Sequence, residues 1–174
     1  MSTWTIDAAH STVEFKMKHL VVSTIKGVFG AFSGTLDAAD DSFANASVSF
    51  EADVAGINTH NAQRDGHLQT PDFFDTAKFP KLTFVSTSFT KKTDSEYAVV
   101  GNLTMKGVTK EVTLKAIFNG FANGQGGKRI AALDVTGVIN RLDFGITWNT
   151  VLDTGGMALS NEVWLDATIE LKEA

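Results

Sequence analysis

INTHNAQRDGHLQTPDFFDTAKFP, residues 57–80, decides the fold, because it is where a regular alternation stops. On either side the chain reads as strands broken by glycine-rich turns. Inside it, Asn58 and Thr59 have the chemistry of helix caps. Asn61 to Gln69 suits a short, partly exposed helix. Pro71 ends that helix or starts another. Phe73 and Phe74 stand between Asp72 and Asp75, so a turn carries two large apolar groups. Phe79 precedes Pro80, which favours extended backbone and launches the next strand. A long non-strand insertion in an all-β chain is commonly functional when it is ordered. The aromatic anchors predict that this one docks and closes one end of a β-barrel.

Working outward, Val13, Phe15 and Met17 alternate with Thr12, Glu14, Lys16 and Lys18, which is period two with one wet face. His19 to Ser23 breaks that pattern in a bend. Ile25 to Leu36 contains Gly27, Gly30 and Gly34 and reads as one long, strongly bent strand. Further strands are expected over 46–54, 80–90, 97–105, 108–121 and 129–141, and a last one carries Val163, Leu165, Ala167, Ile169 and Leu171 inward. Lys106-Gly107 marks a tight hairpin. Residues 140–160 form a second irregular region. The sum is about eight antiparallel strands with little helix in one domain, residues 1–174. An eight-stranded closed sheet fills its lumen with side chains or holds one small ligand. A solid β-sandwich is the competing architecture.

Composition narrows the function classes. The chain has 174 residues, 43% hydrophobic and 20% charged, which suits a folded domain. The net charge of −5 and the lack of a basic run argue against nucleic acid as partner. Without cysteine there is no disulfide, thiolate metal site or thiol nucleophile. The 13 Phe against one Tyr and three Trp suit a dry interior. No basic start followed by an apolar core opens the sequence. A cytoplasmic protein is therefore expected from the chain as given, and a periplasmic one if a leader has been removed.

Few residues invite chemistry. His60 and His67 are two helical turns apart, about 10 Å by rise, too far to share an ion with ligand bonds of about 2 Å. His10 and His19 are expected to hydrogen-bond local turns, so no metal site is expected. Asp72 and Asp75 are expected to cap and solvate their turn rather than act as an acid–base pair. No G-x-S-x-G elbow occurs, and no catalytic residue is nominated. Arg64 and Arg141 are the polar candidates. Arg141 shares parity with Leu133, Val135 and Ile139, so it is expected to point inward at a barrel end. An inward guanidinium needs a carboxylate or a ligand oxygen. A salt bridge to an Asp of the insertion and a contact to a quinone carbonyl or phosphate head both answer that need. The scarcity of clustered positive charge favours a neutral or weakly polar head.

Four blocks of this chain, in order, resemble the YceI-like family of lipocalin-like polyisoprenoid-binding proteins. They are WTIDAAHSTVEFKMKHLVVSTIKGVFGAFSG, INTHNAQRDGHLQTPDFFDTAKFPKLTF, GNLTMKGVTKEVTL and NRLDFGI. The resemblance implies an all-β fold, an extended antiparallel eight-stranded lipocalin-like β-barrel with a short helical insertion. It also implies a long apolar tunnel and a homodimer. The ligand it implies is a long-chain isoprenoid, quinone-like molecule or related lipid, with no cofactor beside it. The expected lining is Phe15, Met17, Phe50 and Val54 from the early strands. Leu103, Phe118, Val135 and Ile139 follow from the later ones, and Leu68, Phe73 and Phe74 from the insertion. The expected mechanism is passive sequestration, storage or transport. Two other readings stay open at this point: an enzyme acting on an isoprenoid-like substrate, and a solid-cored interaction domain using Trp164.

Overall fold

A computed structural model describes all of residues 1–174. The strands are β1 (Ser2–Ile6), β2 (Thr12–His19), β3 (Ser23–Phe29), β4 (Phe32–Ala38), β5 (Ser47–Asp53), β6 (Ile57–Asn58), β7 (Lys81–Lys91), β8 (Glu96–Met105), β9 (Val108–Asn123), β10 (Arg129–Asn140) and β11 (Glu162–Glu173), with one α-helix, α1 (Ala62–Leu68). All pairings are antiparallel within one sheet. β1 and β2, β3 and β4, and β5 and β6 are each one run interrupted partway, so the eleven strands make eight staves. Each stave pairs with its neighbours in sequence. The ring closes where Trp4 and Ile6 meet Glu173 and Leu171, and where Lys16 meets Trp164. Closure excludes the sandwich and leaves no free edge along the ring.

Two of the interruptions are coupled. Gly30 and Ala31 bend the second stave, and the third breaks beside them. There the Gly30 N–H donates to the Gly56 carbonyl (3.0 Å) and the Asp53 N–H to the Ala31 carbonyl (2.9 Å). The predicted bent strand over 25–36 is this β3–β4 run. Lys106 and Gly107 both take positive φ, 50° and 73°, which matches the right-handed twist of their hairpin. The His19–Ser23 bend is tighter than a generic loop, with Leu20 at φ 53° and Val21 at φ 67°.

One end of the barrel, the floor, is stoppered by aromatic rings. Trp4 and Phe43 are fully buried. Their rings meet edge to face at 5.6 Å, and Phe43 meets Phe118 at 5.4 Å. Phe121 packs on Phe118 at 4.9 Å and carries the Arg129 guanidinium 4.5 Å above its face. Each such ring pair adds about 0.5–1.5 kcal/mol beyond area burial. The other end, the mouth, is covered by residues 57–80 and 140–160.

Where the first stave breaks, Asp7 holds it to β11. Lys172 Nζ lies 2.5 Å from Asp7 Oδ2, and His10 Nδ1 lies 2.7 Å from the same oxygen. The hydrogen bond from Lys172, then that from His10, hold the Asp7 carboxyl down at about 2. A carboxyl held below its ordinary value stabilises the fold fully above that ordinary value, near pH 4, and progressively less as pH falls through about 2. Asp7→Asn is therefore expected to lower the melting temperature at neutral pH. It is also expected to flatten the loss that wild type shows between about pH 4 and pH 2, as read by thermal melts across that range.

Candidate functional site

The lumen is not filled. Between floor and mouth lies a cavity of about 220 Å³ walled by 32 residues, 29 of them hydrophobic. It exceeds the roughly 150 Å³ hydrocarbon-lined hole that binds benzene in an engineered core. All five inward residues of β11, from Val163 to Leu171, reach it. Eight residue steps at about 3.4 Å make about 27 Å of strand, or about 20 Å along the axis at a barrel tilt near 40°. The void is therefore a bore.

Of the nominated lining, Phe15, Met17, Phe50, Leu103, Val135 and Ile139 stand on its wall, and Leu68, Phe73 and Phe74 roof it. Two nominations are corrected. Val54 follows period two only on paper: β5 ends at Asp53, and Val54–Gly56 form a 3₁₀ turn that buries Val54 outside the bore. Phe118 falls at the floor, joined to Phe43 and Phe121, where the register with β10 shifts between Ala132 and Leu133. Phe84, Val99 and Met105 were missed, although the alternation within β7 and β8 carries them, and Phe89 was missed because a register shift between Ser86 and Ser88 returns it to the inner face. Ile146 was missed for want of any periodic signal.

The bore is wide because some wall positions are recessed. Gly27 lies opposite Phe15 across the β2–β3 ladder, and a Cβ there would sit 2.4 Å from the Phe15 ring. Gly137 does the same for Leu114, at 2.4 Å. Each glycine lets its neighbour lie flat against the sheet instead of standing into the lumen.

The roof is built from the insertion. α1 is capped by Asn61, whose side chain accepts from the Arg64 N–H at 2.9 Å. The expected caps act elsewhere: Asn58 accepts from the His60 N–H at 2.8 Å, and the Thr59 N–H donates to Asp65 at 2.9 Å. Leu68 and Phe73 are buried, and Phe74 is half-buried. His67 stacks edge-on between Phe73 (5.0 Å) and Trp148 (4.8 Å) and pairs with Asp72 at 2.8 Å. Lys106 Nζ donates to the Pro71 carbonyl at 2.7 Å, tying the roof to the β8–β9 hairpin. Asp75 is buried at φ 50°, so only Asp72 of the expected solvated pair faces water.

The two arginines part company. Arg64 turns back on its own loop, donating from Nε to Thr59 Oγ1 (2.8 Å) and from Nη2 to the Thr59 carbonyl (2.7 Å), away from the bore. It was nominated as a ligand contact, and the structure places it off the bore wall, on the entry loop. Arg141 is 3% exposed at the mouth end of the wall. The expected salt bridge to the insertion is absent. Nε donates to the Ser160 carbonyl (2.9 Å), and Nη1 donates to the carbonyls of Ile146 (2.8 Å) and Trp148 (2.9 Å). Nη2 has no partner, and burial pushes the guanidinium pKa down. Carbonyl dipoles thus hold a buried cation with one amino group, Nη2 and its two N–H donors, spare.

The other polar wall residues are Thr35 and Asp166, and Asp166 turns its carboxylate outward to Lys16 (3.4 Å). No histidine or second carboxylate lines the bore. Outside it, Asp7, His10 and Glu170 bring ligand-type atoms within 4.8 Å of one another, but Lys172 already occupies the Asp7 oxygen.

Gly27→Ala is expected to push the Phe15 ring into the lumen. Uptake of the fluorescent apolar probe phenylnaphthylamine should fall about tenfold, on an overpacking cost of about 1–3 kcal/mol. Adding Phe15→Leu should restore uptake; failure to do so would mean that the glycine serves only the strand.

The YceI-like domain model matches residues 4–171. A UPF0312 protein of Staphylococcus aureus (strain MSSA476) is 41% identical over 171 residues, 98% of this chain and 97% of that protein. The crystal structure of the Campylobacter jejuni YCEI protein superposes with a TM-score of 0.79 at 33% identity, covering 97% of this chain and 96% of that one. A polyisoprenoid binding domain from Saccharophagus degradans, implicated in plant cell wall breakdown, shares the fold at a TM-score of 0.69 and 15% identity, with 98% of each chain covered. Barrel, helix-bearing roof and sequence agree, and the chain belongs to the YceI-like family.

Proposed function

We propose that the protein binds and carries a long-chain isoprenoid lipid in its bore, without catalysing its conversion. The observation that carries this reading is the bore itself: a lumen some twenty ångströms long, stoppered at one end, walled almost wholly by hydrocarbon and aromatic groups, and left unfilled by the chain. The likeness to a structure described as a polyisoprenoid binding domain supports the same class of guest.

The energetics favour a long tail. Each buried CH₂ contributes about 0.8 kcal/mol, so three isoprene units contribute on the order of 12 kcal/mol gross. Lost translation, rotation and chain freedom take back about 4–15 kcal/mol. Net affinity therefore depends on how much of the bore the tail fills. At the mouth, Arg141 Nη2 offers its two N–H donors to a head group. One spare amino group on a lone cation suits a quinone carbonyl better than a pyrophosphate, which asks for clustered cations. The bore holds no histidine and no pair of carboxylates, so acid–base chemistry has no apparatus there.

An organic extract of purified protein, analysed by mass spectrometry, tests the reading: a stoichiometric prenyl-chain lipid supports it, and an extract empty of lipid contradicts it. Phe74→Asp, in the roof, is expected to reduce lipid retention more than it reduces melting temperature. Equal losses would indicate core damage alone. A prenylated quinone should also outcompete a prenyl hydrocarbon of the same length by about tenfold or more, the worth of a hydrogen bond to a charged donor.

A further inference from the structure

We propose that two linked loop tips beside the mouth, Leu20–Val22 and the Val151–Met157 pair, form a membrane-docking surface that sets the bore against an anionic bilayer. The proposal rests on the lipid-binding reading above.

The tips stand out on three counts. They are apolar and exposed: Val22 is 85% exposed, Val21 73%, Val151 65% and Met157 53%. They are one surface, because the Leu20 N–H donates to the Ala158 carbonyl (2.8 Å), His19 bridges to Leu159, and Val151 bridges to Met157. They are also held at a cost, since Leu20 and Val21 take positive φ. A turn at that geometry ordinarily takes glycine or asparagine, and a β-branched residue there is an outlier. Strained backbone that presents valine to water points to a use for the valine.

Charge selects the occupant. Lys18 and Lys26 lie on the outward face of the β2–β3 hairpin, and neither has a carboxylate within ion-pair distance, whereas Lys16 is paired with Asp166 and Glu14. Half-buried His19 lies between the lysines and the tip. The acidic residues on the same segments are Asp153, on the Val151–Met157 loop, and Glu162, at the start of β11, and neither forms an ion pair with these lysines. In a chain of net charge −5, Lys18 and Lys26 stand behind an apolar point with their ammonium groups free of any ion pair. An apolar tip with lysines behind it matches an interface of acyl chains beneath anionic head groups. A few side chains on projecting tips fall short of the roughly 800 Å² per partner of a stable protein interface.

The tip is also wired to the bore. The Ser160 N–H donates to the Lys18 carbonyl (3.1 Å), and Arg141 grips the carbonyls of Ser160, Ile146 and Trp148, at the two ends of the loop that carries Met157. Met17, two residues before His19, lines the cavity. Docking at the tip therefore sets the bore's mouth beside the bilayer in which a prenyl lipid dissolves.

Vesicle flotation of the full chain tests this, with phosphatidylcholine vesicles and with vesicles containing phosphatidylglycerol. Wild type is expected to float with the anionic vesicles. The double variant Val21→Asp, Val22→Asp should lose binding by about tenfold or more. Lys18→Glu with Lys26→Glu should lose about fivefold per lysine on anionic vesicles alone. Melting temperature and phenylnaphthylamine uptake should stay at wild-type values in both variants, because the altered side chains are exposed and off the wall. Failure of wild type to float, or variants that float like wild type, would overturn the proposal. So would a wild-type dimer that Val21→Asp, Val22→Asp dissociates, since a second copy would then own the tip. Flotation by protein whose extract holds no lipid would support the docking surface and contradict the carrier reading.

Discussion

Pairing of Trp4–Ile6 with Leu171–Glu173 turns a meandering sheet into a tube, and the remaining structure answers to that closure. A tube of eight staves has an inside that side chains must fill or a guest must occupy. Here the filling is uneven. At the floor, Trp4, Phe43, Phe118 and Phe121 pack ring to ring. Above them, Gly27 and Gly137 let Phe15 and Leu114 lie back against the wall. The void between is the outcome of where the chain places rings and where it places glycine.

The mouth obeys a different constraint. A tube end exposes apolar wall, and loops that cover it must satisfy their own backbone groups. The insertion does so with a short capped helix and the His67–Trp148–Phe73 stack. The 140–160 loop does so by giving three carbonyls to Arg141. That arrangement keeps a cation buried with no carboxylate in ion-pair reach, and it leaves one amino group unspent at the end of a greasy bore. Polar recognition is thus confined to a single point, and affinity is left to apolar area.

Much of this was legible in the residues. Period-two alternation located the strands, the Lys106-Gly107 pair marked its hairpin, and the loss of alternation after Ile57 marked the insertion. The resemblance of four sequence blocks named the family before any coordinates. What escaped is what periodicity does not encode. Val54 left the bore because its strand ended one residue earlier. Phe118 dropped to the floor beside a register shift. Arg64 turned back on its own loop, and the partners of Arg141 came from carbonyls up to nineteen residues away. Pairings such as Asp7 with Lys172 join opposite ends of the chain and leave no local trace.

The central claim is that the sheet encloses an oily space which hydrocarbon occupies. Diffraction from crystals of the protein purified without detergent or delipidation tests this most directly. The account predicts continuous electron density along the axis, from the Trp4–Phe43 floor toward Arg141 Nη2. Rings of Phe15, Phe50 and Phe84 turned inward to fill the lumen, with no guest between them, would contradict it.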